Sequence, residues 1–528
     1  MRLILHTFKK DVYRFWPAAA VALALLAVVA GADSLRYDTI GSAAHETEGW
    51  LNLVVPLAWA CLIALVVLEE PLSGDQHFWL TRPHRWPALL AAKGLFALLF
   101  VHLPAFAAQA YVLAAHGFSP FAALPELLAR QLAIAAFLTL PALALSSLTR
   151  GFTHFMMGVF AVGAATVFTL ASSQSRGVFI MARQDDDLRA GLASLLIAAG
   201  SLVVLWLQYR RRPAVLGRAA AVATVVLAFA LLACVPWTAD PHVHALLRPA
   251  QAPVTLRLDS RANIGSHYWS NSRHVYAVPL ALSGLPAGTA ARAGLLSLEL
   301  VAPDGHRYPA SLLMPNQQEK SPVEAALYPD VPQRPSDPYV AEPPTLALSL
   351  RLDPAVYDAI KDQHVRLTGQ TVVRVIRLGE TVWMPVGGRV AAPGVGHCSN
   401  SVGEDRGWED RLNVLCESPG YIPTVVRVVA WTPEEGFIDA SPRRLSPYNN
   451  YSSGPGVSEL SPLDRARTSF GLSDPKYRRR LNSAGGVPLE HLSQARIAIT
   501  PEFITGYSVA RFDIPDVPLS KYWVEPTY

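Results

Sequence analysis

The stretch Glu69-Glu70-Pro71-Leu72-Ser73-Gly74-Asp75-Gln76-His77-Phe78-Trp79-Leu80-Thr81-Arg82-Pro83 sets two carboxylates, an aromatic-apolar knot and an Arg-Pro step close together, and Lys93 comes soon after. The run is too charged to lie in lipid. Phe78, Trp79 and Leu80 are apolar residues rimmed by charge, a composition that suits a docking surface. The same residues suit a belt of interfacial aromatics with snorkelling cations. Residue types alone leave both readings open. Either way the chemistry is recognition, not bond making.

Motifs for bond making are absent. No G-x-x-x-x-G-K-[ST] occurs, so the chain supplies no P-loop. No G-x-S-x-G elbow occurs either. His45-Glu46 lacks a second His at the metalloprotease spacing. His242 and His244 read as a solvated juncture sooner than a metal site. His102 and Gln109 lie seven residues apart, near one helix face. They suit interhelical hydrogen bonds first and a polar path second. The apolar runs hold almost no acidic residue, which argues against a proton relay. Cys398 and Cys416 lie in a Gly- and Pro-rich stretch between strand-like runs. In an exported domain they would form a disulfide worth about 3 kcal/mol. The other reading is two buried thiols. His397 is the one extra ligand nearby, too few for zinc. No catalytic, cofactor-binding or metal-ligating residue is assigned.

These residues are positioned by two unlike halves. Strong apolar runs fill the first ~240 residues and almost vanish after Trp237; a span needs about 20 such residues. Seven spans are predicted, near 16–32, 50–68, 94–115, 131–148, 152–172, 191–208 and 219–236. The first serves as the insertion signal. The fourth and fifth form a tight hairpin around Thr149-Arg150-Gly151. Pro56, Pro104 and Pro141 fall inside spans, which bundle packing tolerates. With the N-terminus inside, twelve Lys and Arg fall in cytoplasmic segments and five in outer ones. Seven crossings then export the C-terminal domain. The net charge of +4 is small, and the basic residues flank apolar runs. They point to membrane lipids as partners, not to nucleic acid.

Before the first span, Ile4, Phe8, Val12 and Phe15 recur at helical spacing, with Lys9, Lys10 and Arg14 off that stripe. Residues 3–15 read as an amphipathic helix lying on the inner membrane surface. A first helix that simply starts early is the alternative.

On these residues the chain resembles the permease subunits of ATP-binding-cassette (ABC) transporters of the type-2 exporter class. The matching residues are Glu69, Glu70, Gly74, Phe78, Trp79, Leu80, Arg82, Pro83 and Lys93, and segment 3–15 resembles the family's connecting helix. The likeness covers roughly residues 1–236. A seventh span and a large C-terminal domain depart from the usual six-span permease. The resemblance implies a separate cytoplasmic ABC ATPase subunit that hydrolyses ATP and moves the spans through loop 69–93. Phe78 and Trp79 would fill an apolar pocket on it, Arg82 would pair with its acids, and Pro83 would end the short helix. A homo- or heterodimer of permeases and a periplasmic partner fit the same class.

From 239 to 528 the apolar residues alternate at period two, as in 254–258, 296–300, 346–352, 365–378, 424–431, 495–499 and 507–514. Such runs between Gly, Pro and Asn turns indicate an antiparallel, all-β, sandwich-like domain. Asp353-Pro354 opens a short helical turn over 354–362. The stretches 315–344 and 433–490 break the pattern. The domain is either one large β unit or two sandwiches split near 315–344. The basic knot of Lys476 and Arg478 to Arg480 reads as a solvated loop.

The expected protein is a polytopic α-helical inner-membrane bundle over residues 1–238, N-terminus cytoplasmic, with an extracytoplasmic β domain. Its expected function is that of a permease subunit rather than an enzyme. A membrane-anchored receptor or sensor is the rival, and loop 69–93 separates the two: a permease needs it to touch an ATPase.

Overall fold

The structure is a computed structural model that describes residues 2–35, 42–70, 86–175, 187–211, 214–235, 239–258, 275–286, 289–309, 311–312, 345–351, 354–404, 410–419, 425–433, 436–439, 443–444, 463–473 and 487–524. The chain divides into two compact units, one built on Met1–Trp237 and one on Thr238–Glu417, Ile422–Leu445 and Ala466–Tyr528.

The first unit is helical. Its elements are α1 (Arg2–Leu35), α2 (Ser42–Leu68), α3 (Trp86–Ala115), α4 (Leu124–Leu148), α5 (Phe152–Ser175), α6 (Asp187–Trp206, continued by a π turn Leu207–Arg211) and α7 (Ala214–Cys234). Among the described residues five helices are long and apolar enough to cross a membrane: Arg2–Gly31, Trp86–Ala115, Leu124–Leu148, Gly191–Arg210 and Val215–Leu232. Val54–Leu68 and Phe152–Ala164 are shorter apolar helices. Residues 3–15 are the first turns of α1 itself, which runs unbroken through Pro17. At 34 residues α1 is about 50 Å long, well beyond a hydrocarbon core of about 30 Å.

Three π turns interrupt the helices, at Leu98–His102, Ala135–Thr139 and Leu207–Arg211. Each ends two residues before a proline: Pro104, Pro141 and Pro213. A proline lacks an N–H and its ring crowds the carbonyl four residues back. At Pro104 and Pro141, inside α3 and α4, widening that turn to π relieves the clash. Pro17 and Pro56 lie inside α1 and α2 with no such turn.

Trp59, Phe96 and Phe155 form the centre of the helical core, joined by Leu62, Val101 and Leu148.

The second unit is β-rich and holds two cores. Its largest sheet orders the strands Gly436–Asp439, Val425–Thr432, Arg496–Pro518, His364–Leu378, Thr289–Val301 and Arg307–Pro309. One smaller sheet carries Thr255–Leu258, Val275–Ser283, Thr345–Arg351 and Ser311–Leu312. The other carries Val487–Pro488, Leu463–Ser473, Asp410–Pro419, Gly396–Glu404 and Arg389–Ala392. The 23-residue strand Arg496–Pro518 serves both cores. Ile497 and Ile499 pack with Met384, Val395, Leu412 and Val428. Phe512, Ile514 and Val517 pack with Val278, Leu280, Leu300 and Leu367. Between them the pairing register shifts at Ile504 to Gly506. A Cβ on Gly506 would lie 2.9 Å from the Ala250 Cα, so that close approach requires glycine.

Segment 315–344, most of 433–490 and the knot 476–480 lie outside the described residues. The strands flanking 315–344, Ser311–Leu312 and Thr345–Arg351, pair at Ser311↔Arg351 and Leu312↔Leu350. Both therefore belong to one sheet. The short helix Pro354–Ile360 forms where the Asp-Pro step indicates.

Cys398 and Cys416 sit opposite each other on paired strands and form a disulfide 18 residues apart in sequence. Both are buried in the second core. Replacing both by serine is expected to lower the stability of the β unit by about 3 kcal/mol, read as a lower thermal midpoint. In the unaltered protein both thiols are expected to resist alkylation under denaturing conditions until reduced.

Candidate functional site

The buried stripe of α1 runs through Thr7, Asp11, Ala19, Ala22 and Leu26, at the three- and four-residue spacing of one helix face. Asp11 is a carboxylate on that apolar stripe, with 0% of its surface exposed. Such a group requires a partner. Lys93, seven residues into α3, supplies it at 2.8 Å. Lys93 is itself only 2% exposed.

Lys93 also lies 3.4 Å from Glu70, just past the end of α2. Lys10 donates to Glu70 at 2.9 Å, and Arg14 lies 2.5 Å from Glu69. Two carboxylates at a helix C-terminus oppose the helix dipole, and three cations offset that penalty. Asp11, Glu69 and Glu70 balance Lys10, Arg14 and Lys93, so the cluster is electroneutral. That balance is the condition for placing it among apolar helices.

The cluster joins three helices. It also closes the base of the loop: Glu70 precedes it, Lys93 comes after it, and their side chains meet. Among the residues assigned from sequence, Glu69, Glu70, Lys93, Lys10 and Arg14 come together here. Phe8 packs on the helical core and Lys9 is exposed. Gly74, Phe78, Trp79, Leu80, Arg82 and Pro83 lie outside the described residues.

Sequence reasoning missed Asp11. Its signal was present: it is the single acid among the first fifteen residues and falls on the apolar stripe.

A second polar group lies between α3 and α4. Gln131 Nε2 donates to Gln109 Oε1 at 3.0 Å. Gln131 Oε1 then faces His102 Nδ1 at 3.2 Å, which assigns the proton to Nδ1. His102 Nε2 is left to accept from the Thr139 hydroxyl at 3.1 Å. His102 and Thr139 each close a π turn. His102 and Gln109 thus make the interhelical bonds that their spacing suggested. Among the described residues no three His, Cys, Asp or Glu are grouped to hold a metal ion.

Burial alone would raise the Glu70 carboxyl. The Lys93 charge and the hydrogen bond from Lys10 outweigh it and hold Glu70 below the usual carboxylate range. A lowered folded-state value means that Glu70 stabilises the fold fully above its unfolded value. That contribution fades as pH falls through the lower folded value. Glu70→Gln is expected to flatten this part of the acid-stability profile, measured by thermal unfolding in detergent against pH. Lys93→Met strands Asp11 and Glu70 and is expected to cost about 3–5 kcal/mol. Adding Asp11→Asn is expected to recover part of that loss in the same assay.

No family model, curated protein or solved structure matches the chain.

Proposed function

We propose that the chain is the permease subunit of an ATP-driven transporter of the ABC type-2 exporter class, worked by a separate cytoplasmic ATPase that docks on loop 69–93. The observation that carries this reading is the Asp11–Lys93–Glu70 junction. A push on the loop reaches its base, where α1, α2 and α3 are tied by charge. Apolar side chains slide past one another in lipid with little preference. Buried ion pairs are directional and, in low dielectric, strong. They suit a point where force enters a bundle.

In this role ATP binding must favour one arrangement of the helices over another. Phe78 and Trp79 seat in an apolar pocket of the ATPase and Arg82 pairs with its acids. Export is the direction that goes with the class. The N-terminus is cytoplasmic and the β unit lies outside the inner membrane. The Lys and Arg bias supports that orientation. So does the Cys398–Cys416 disulfide, which belongs to an oxidising compartment.

Trp79→Ala combined with Arg82→Ala is expected to abolish co-purification of the ATPase while leaving membrane insertion intact. Retained association would remove the coupling role from the loop.

A further inference from the structure

The seventh helix has little protein around it: 11% of its most apolar window is buried, against 44% for α4. Its main neighbour is α6, and in two places a glycine of one helix meets a side chain of the other. Gly200 on α6 faces Thr224 on α7, where a Cβ would lie 2.2 Å from Oγ1 and 2.3 Å from Cγ2. Gly217 on α7 faces Gln208 on α6, where a Cβ would lie 2.0 Å from Nε2 and 2.9 Å from a Leu148 methyl. The pairs 200–224 and 208–217 keep one antiparallel register. Thr224 donates to its own helix at Ala220, 2.8 Å away, which fixes its rotamer against the glycine. Small residues that face each other in this way let helices lock together without a solvent-driven force.

The inner end of α6 is held on its other side. Tyr209, in the π turn, is 3% exposed and joins the apolar cluster of Leu89 and Phe96, against which Phe8 packs. Gln208 beside it is 1% exposed, and neither of its amide atoms has a hydrogen-bond partner among the described residues. A bare buried amide is costly, so the packing around it must hold it there.

We propose that α6 and α7 move as one rigid arm, clamped at Gly200–Thr224 and Gly217–Gln208 and seated through Tyr209 on the apolar cluster of Leu89 and Phe96, on the helix that carries Lys93. A displacement at loop 69–93 then swings the outer end of α7. The proposal rests on the coupling role given to that loop.

Cys234, free and exposed at the end of α7, is a native probe of this motion. The full chain, with Cys61 replaced by alanine, is placed with its ATPase in lipid nanodiscs. Alkylation of Cys234 is followed with and without ATP and vanadate. The two states are expected to differ in rate. The difference is expected to vanish in Gly200→Leu, whose side chain has no room beside Thr224, while ATP hydrolysis continues. Equal rates in both states with hydrolysis intact would overturn the proposal, as would a Gly200→Leu chain that keeps the difference. Absence of any associated ATPase would sink the permease reading instead. Gly200→Leu still decides the α6–α7 clamp in that case: a thermal midpoint equal to that of the unaltered chain would refute it.

Discussion

A lysine taken out of water must carry its countercharge with it, and Lys93 organises one end of the helical unit on that condition. Its ammonium is reachable by Asp11 only if α1 passes beside α3 at that turn. It is reachable by Glu70 only if α2 ends there as well. Three helix positions are thus fixed by one cation. Loss of any one charge leaves the others stranded among apolar side chains such as Leu89 and Phe96. The unbroken course of α1 obeys the same constraint. Lys10 and Arg14 are held by Glu69 and Glu70, so the first turns are anchored as part of the bundle.

Elsewhere the bundle is shaped by prolines and glycines. Pro104 and Pro141 widen the turns before them, and those turns deliver His102 and Thr139 to a shared hydrogen-bond chain. Gly200 and Gly217 let the Thr224 and Gln208 side chains of the facing helix rest against their backbone. In the proposed permease the charged junction would supply direction and the glycine contacts rigidity. In the proposed orientation the junction faces the cytoplasm and the clamped pair leads outward.

Apolar runs and period-two alternation were legible because they are local. Among the described residues five of the seven predicted spans coincide with helices long and apolar enough to cross a membrane, 50–68 and 152–172 coincide with shorter apolar helices, and most predicted strands form. Non-local pairs were not legible. Asp11 and Lys93 are 82 residues apart, and nothing in either neighbourhood names the other. The runs 495–499 and 507–514 read as two strands but form one. Pro501 and the shift at Ile504 to Gly506 break the alternation while the backbone pairing continues. Strand Leu463–Ser473 escaped notice because charged and polar residues interrupt its apolar pattern. The Cys398–Cys416 pairing was legible since two cysteines alone lay in that half. The core of the candidate site was half legible: Glu69, Glu70 and Lys93 were assigned, and the buried acid that explains Lys93 was not.

The central claim is that this chain is moved by a separate ATPase. Purification of the tagged protein from its native membranes in mild detergent tests it most directly. The account predicts a stoichiometric ATP-hydrolysing partner that stays bound. An intact, folded protein that emerges without one would contradict it and favour a membrane-anchored receptor.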